Sequence, residues 1–220
     1  MKRYSMWKIT LAVALMTPLA AVAANAVVAS PTAQIKATVD QVIAVLSDPK
    51  QKGANREAER QKLLQKLIYS RFDFREMAQR SLGAEWRRRT PDEQRQFVSL
   101  FRDLLEKAYL GRIESYSGER FVYIDEKIDE PYAEVASAIV TNANEEFSIR
   151  YRLLRNGEQW KIYDVVVEDI SLVNNYRAQF NRILSRSSYE DLVRRMKNKL
   201  VDKPDGQRLD GREIDRSHKR

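Results

Sequence analysis

KIYDVVVEDISLVNNYRAQF (residues 161–180) changes character halfway along. Lys161 to Val167 is a β-branched run and reads as a strand. From Ser171 onward the chain reads as a helix, with tyrosine and arginine at its start. One strand feeding directly into a helix places a sheet before the C-terminal helices. Asp164 is the anomaly, a carboxylate inside an otherwise apolar strand. It requires a cationic or hydrogen-bonding partner if it is buried. It is read either as a structural tie to an arginine or backbone amide, or as a polar group at the rim of a ligand cavity. A bulge would turn it to the other face.

Working back from this stretch, Asn156-Gly157 marks a two-residue turn between strands 145–155 and 158–167. That turn predicts a register in which Leu153 faces Trp160, Tyr151 faces Ile162, Ile149 faces Asp164 and Phe147 faces Val166. One hairpin face is then apolar and the other, with Arg150, Arg152 and Lys161, is wetter. Two further strands are expected at 121–124 and 132–141.

The N-terminal half has helical period. Ile35, Val39, Val42, Ile43 and Leu46 form one stripe, ended by Asp48-Pro49. A second helix starts near Asn55, and a short one covers 74–82 with Gly83 just beyond it. Thr90-Pro91-Asp92-Glu93 offers a capping threonine, proline at the first helical position and glutamate at the third. It opens a long helix, 91–115, bearing Phe97, Phe101, Leu105 and Tyr109. Two helices, 172–186 and 188–200, close the domain. The order predicts an α+β fold, a curved antiparallel sheet with helices packed on one face. The apolar residues on facing surfaces would fill a solid core or line a hollow.

Composition excludes much chemistry. The 220 residues contain no cysteine and one histidine, His218. Disulfides, thiolate catalysis and cysteine metal sites are absent, and histidine triads or zinc sites would rest on one tail residue. There is no glycine-rich phosphate loop and no nucleophile elbow. Glu168 and Asp169 lie beside Ser171 as a possible acid pair, but Asp169 and Ser171 sit where a helix needs its cap. The expectation is no enzyme, no metal and no cofactor.

Residues 1–26 read as a signal peptide, with basic Lys2, Arg3 and Lys8, an apolar stretch and two small-x-small sites, at Ala26 and Ala23. An uncleaved anchor is the rival reading. Cleavage would lower the net charge from +8 to +5 and place the protein in the periplasm, which disfavours nucleic acid as a partner. Residues 27–200 form the folded domain, and 201–220 read as a disordered charged tail.

The chain resembles the MlaC, or toluene-tolerance, family. Phe72-Asp73-Phe74, Met77-Ala78, Leu82-Gly83, Trp86, Glu93-Gln94, Phe97, Phe101 and Tyr109 look like its helical half. Trp160-Lys161, Tyr163-Asp164-Val165, Ser171 and Asn175-Tyr176-Arg177 look like its sheet-to-helix signature. The match covers about residues 31–200, and Asp169 departs from it where a glycine is expected. The resemblance implies a sheet like that of nuclear transport factor 2, joined to a helical subdomain that encloses an apolar pocket. It implies phospholipid as bound cargo. It also implies as partners an outer-membrane lipoprotein–porin complex and an inner-membrane ABC transporter complex with an MCE-domain protein. The expected lipid-binding residues are Phe97, Phe101, Leu105, Tyr109, Val135, Ile139, Ile149, Tyr151, Trp160, Ile162 and Val166, with Asp164 at the rim. Opening would move the long helix and the C-terminal helices relative to the sheet. The alternatives are an envelope adaptor with a solid core, or a carrier of another lipid such as a hopanoid.

Overall fold

The computed structural model describes residues 29–201, save Lys52. The stretch read as a signal peptide and almost all of the charged tail lie outside the described residues. Among the described residues, six α-helices and five strands follow the expected order.

Helix α1 (Pro31–Ser47) starts on Ser30, whose hydroxyl accepts from the Ala33 amide, with proline at the first helical position. A 3-10 turn leads into α2 (Glu57–Arg71). Helix α3 (Phe74–Leu82) is capped by Asp73 and ends at Gly83, which has φ +63° and returns its amide to the Gln79 carbonyl. A second 3-10 turn (Gly83–Arg88) precedes α4 (Pro91–Glu114), where the capping box of Thr90 and Glu93 is complete in both directions.

The sheet is β1 (Arg120–Asp129), β2 (Tyr132–Val140), β3 (Glu146–Asn156), β4 (Gln159–Val167) and β5 (Ile170–Ser171), antiparallel and ordered as in sequence. Strand β1 is longer than its apolar letters suggest, with a shift of register at Ile124 between Tyr123 and Asp125. Helices α5 (Leu172–Leu184) and α6 (Tyr189–Val201) follow.

The expected hairpin register is corrected. Asn156 pairs with Gln159, so the turn residues are Gly157 and Glu158 rather than Asn156 and Gly157. Gly157 alone takes a positive φ, +60°, which suits a turn whose first central residue is glycine. Arg155 therefore faces Trp160, and Leu153 faces Ile162. Moving the turn by one residue shifts every pairing by two and leaves the faces intact. A bulge at Tyr163 then shifts the pairing again: Arg152 faces Asp164, Tyr151 faces Val165 and Ile149 faces Val167. Beyond the bulge the faces exchange, so Asp164 and Val166 leave the apolar face, and Val165 and Val167 join it.

The bulge turns Asp164 to the outer face, where it forms a structural tie. Its carboxylate is 3% exposed. It accepts from the Ser171 hydroxyl at 2.6 Å, the Val173 amide at 3.0 Å and the Arg152 guanidinium at 3.3 Å. Two of these partners belong to the start of α5, where the Ser171 hydroxyl also accepts from the Asn174 amide. The carboxylate thus anchors α5 to the sheet and satisfies an amide that a helix start would otherwise leave unpaired.

Helices cover both faces, not one. On the inner face, α1 and α2 lie over β2 and β4, and α4 packs on α3 and α6 instead of on the sheet. On the outer face α5 and α3 cover β4. Two cores result. The helical core joins α3, α4, α5 and α6 through Met77, Leu82, Phe97, Phe101, Phe180 and Leu192. The sheet core joins α1 to β2, β3 and β4 through Ile35, Val135, Tyr151, Leu153, Trp160 and Ile162.

Candidate functional site

The inner face of the sheet is largely apolar, with Ser137 and Glu126 its polar members. Reading across the strands, Phe121 pairs with Ile139 and Ile139 with Phe147, while Ala133 pairs with Leu153 and Leu153 with Ile162. The second of these rows lies under α1. There Gln34 holds α1 to the β3–β4 turn: its carbonyl accepts from the Trp160 amide at 3.0 Å and its amide donates to the Glu158 carbonyl. Glu126 reaches across from β1 and accepts from the Thr32 amide at 2.6 Å. Arg71, at the end of α2, donates to the Trp160 carbonyl and to Gln34.

The cover stops partway along the sheet. Leu153 and Trp160 are buried, whereas Phe147 and Val167 are 42% and 43% exposed and Phe121 and Ile139 only half-buried. Helix α1 shows the same gradient. Ile35 is buried at its start, but Val39, Val42, Ile43 and Leu46 of the same stripe are half-buried. A strand face and a helix stripe of this length would both be dry in a closed core. The apolar surface is covered at the Trp160 end and exposed at the Phe147 end.

A little polarity lies within it. Burial pushes the Tyr151 phenol up to about 12, with Ser137 pulling in the opposite direction. Burial raises Tyr123 as well, with Tyr151 and Asp40 adding to the effect. The Tyr123 hydroxyl is buried and has no hydrogen-bond partner. An unpaired buried hydroxyl costs about 1–3 kcal/mol. Tyr123→Phe is therefore expected to stabilise the ligand-free protein by about 1 kcal/mol, read as a raised denaturation midpoint. A lowered midpoint would show that the hydroxyl is already satisfied.

The expected lipid-binding residues fall into separate groups. Val135, Ile139, Ile149, Tyr151, Trp160 and Ile162 share the inner face of the sheet. Phe97, Phe101 and Leu105 lie in the helical core, with Tyr109 half-buried against it. Phe97 and Phe101 are wholly buried among the rings of Tyr176, Phe180 and Tyr189. Val166 is on the outer face, one residue out of phase because of the bulge. Phe121, Phe147 and Val167, which share the inner face with the sheet residues, were not among the expected lipid-binding residues. Phe121 and Phe147 were legible as strand residues, and only the bulge brings Val167 to their side.

Helix α2 meets α4 through long polar side chains. Arg60 and Gln61 bind Glu114 at 3.1 and 3.2 Å, and Gln65 and Tyr69 bind Glu106. The two acids that follow β4 are both engaged in contacts. The Glu168 carboxylate accepts from the Ser148 amide, and Asp169 pairs with Arg150 at 2.9 Å. Both residues have positive φ, +46° and +62°. The turn that the family pattern gives to glycine is thus made by side-chain-bearing residues held by these contacts. Among the described residues no group of three metal-ligating side chains occurs, and no helix is long and apolar enough to cross a membrane.

Comparisons with known proteins add an independent line. The family described as "MlaC protein" matches residues 36–198. Among curated proteins no relative matches the chain. A solved structure of a phospholipid-binding protein from Ralstonia solanacearum, in complex with a phospholipid, is similar in fold, with a TM-score of 0.71 and 27% sequence identity. The similarity covers 79% of this chain and 98% of that one.

Proposed function

Because the chain belongs to the MlaC family, we propose that it is a phospholipid carrier of the periplasm, holding acyl chains in a trough between the sheet and α1–α2. The observation that carries this reading is the inner sheet face, largely apolar but covered along only part of its length. The phospholipid complex of a similar fold supports it.

The physics of cargo agrees. Each buried CH₂ is worth about 0.8 kcal/mol, so an acyl chain of about sixteen carbons costs on the order of 10 kcal/mol to leave in water. A carrier needs an apolar enclosure, a mouth for the headgroup and no reactive group. In our reading Val135, Ile149, Tyr151 and Ile162 line the trough. Ile139, Phe121 and Phe147 form its mouth, and Trp160 closes the far end. The large aromatic residues of α4 hold the helical subdomain together beside it. The polar bridges between α2 and α4 suit a seam that opens, because breaking them exchanges protein partners for water and exposes little apolar surface.

The carrier moves lipid between an outer-membrane lipoprotein–porin complex and an inner-membrane ABC transporter complex with an MCE-domain protein, after export by a cleaved signal peptide. It performs no catalysis: Asp164, Glu168 and Asp169 are all engaged in holding the turn and α5.

Lipid extracted from the purified mature protein tests this directly. Phospholipid at near one molecule per chain is expected, seen as a matching mass increment under native conditions. Protein that is repeatedly lipid-free, and that takes up no added phospholipid, would overturn the reading in favour of an adaptor. A different lipid in the extract would keep the carrier and change its cargo.

A further inference from the structure

The outer side of the sheet holds a second concavity, which the carrier reading does not use. It lies between the end of α3 with its 3-10 turn, the first turns of α5, and the outward side chains of β3 and β4. Its volume is about 320 Å³. Four guanidinium groups line it, Arg80, Arg87, Arg152 and Arg177, against one carboxylate, Asp164. That carboxylate is already taken up by Ser171, Val173 and Arg152.

Two of the arginines are committed to the fold. Arg80 pairs with Glu76 at 2.7 Å and lies 4.2 Å over the Tyr163 ring. Arg152 bridges Asp164 and Glu134. The other two, Arg87 and Arg177, are exposed, and among the described residues neither has a carboxylate within ion-pair distance. Arg177 is nevertheless placed. It lies along the Gly83 backbone so closely that a Cβ there would come within 3.4 Å of its Nε. A cation at the end of α3 is favoured by the helix dipole, by about 0.3–1 kcal/mol. That accounts for Arg177 but not for Arg87, which reaches the same concavity from a different element.

We propose that this cleft is a docking point for a partner protein, which inserts a protruding aspartate or glutamate between Arg87 and Arg177. Guanidinium forks match carboxylates in shape and charge. The volume sits at the low end of the ~300–1,000 Å³ range for ligand sites, enough for one or two side chains and too small for a phospholipid. The site is recessed, so a flat layer of headgroups would meet its rim and not its floor. It also lies across the sheet from the trough, so cargo cannot fill it. The proposal rests on the carrier reading only for the need of a partner, and binding and cargo can be measured separately.

The test uses the full mature chain and follows the arginine side-chain NMR signals during titration with a hexaglutamate peptide, inorganic phosphate, or vesicles of phosphatidylglycerol and phosphatidylcholine. Saturable shifts at Arg87 and Arg177 with the peptide are expected. Binding should weaken at least about tenfold in Arg87→Gln/Arg177→Gln, and less in the double lysine variant, which keeps charge but loses the forks. Cargo content should stay unchanged, and the denaturation midpoint should fall by no more than about 4 °C, the share of Arg177 at the end of α3. The proposal falls if shifts scatter over all surface arginines, or if the double variant binds the peptide as well as the parent does. It falls equally if phosphate alone saturates the two signals more tightly than the peptide, or if only the vesicles bind through them. Absence of lipid with peptide binding intact would count against the carrier reading alone.

Discussion

Ile139→Trp is expected to empty the protein of lipid while leaving it folded. Ile139 lies at the half-covered end of the inner face, opposite Phe121 on one side and Phe147 on the other. A larger side chain in a dense core forces strain of about 1–3 kcal/mol. Here the indole has open space beside it, and it would occupy room otherwise filled by several methylenes of cargo. At about 0.8 kcal/mol for each methylene displaced, losing three or four lowers affinity by roughly two orders of magnitude. Extraction should recover less than about a tenth of the parent's phospholipid, with a denaturation midpoint within a few degrees of the lipid-free parent. A variant that keeps full cargo would remove the trough as the binding place. One that unfolds would show that this end of the sheet is already filled.

The second large effect concerns Asp164. Asp164→Ala strips the Val173 amide and the Ser171 hydroxyl of their buried acceptor and leaves Arg152 with Glu134 alone. Breaking a buried, hydrogen-bonded charge pair costs about 3–5 kcal/mol. The partial exposure of Arg152 puts the expected loss at the lower end, about 3 kcal/mol, or a midpoint lower by about 10 °C for a domain of this size. Calorimetry of the lipid-free protein reads it. Asp164→Asn should recover part of the loss, since an amide oxygen can still accept from Val173. If alanine costs under 1 kcal/mol, the carboxylate is not what anchors α5.

The same residue shows where the sequence could be read and where it could not. Element type came from periodicity and caps: the proline-led start of α4, the apolar stripe of α1 and the strand-to-helix change at Ser171 all carry local signals. The exchange of faces within β4 did not. A bulge inserts one residue without changing which residue types are present, so Ile162-Tyr163-Asp164-Val165 reads as simple alternation until Arg152 is seen opposite Asp164. Register at the turn was ambiguous for a related reason. Asn156-Gly157 and Gly157-Glu158 both place glycine where a positive φ is required, and only the pairing of Asn156 with Gln159 decides between them. Long-range packing was the least visible. The aromatic stripe of α4 announces that it will be buried, but nothing in its spacing says that α6, rather than the sheet, will bury it. The meeting of the cleft arginines was not legible because Arg87 and Arg177 are ninety residues apart: Arg87 reads alone as a solvated charge, and Arg177 as part of the signature at the start of a helix.

Among the described residues, Phe72 alone is packed against both cores. It stands where α2 gives way to α3, and its neighbour Asp73 donates its amide to the Ile162 carbonyl at 2.8 Å. The other contacts between the halves gather on β4, where Tyr163 packs on the helical core and Asp164 holds α5. A change in the far strands would therefore reach the helices chiefly through that one strand.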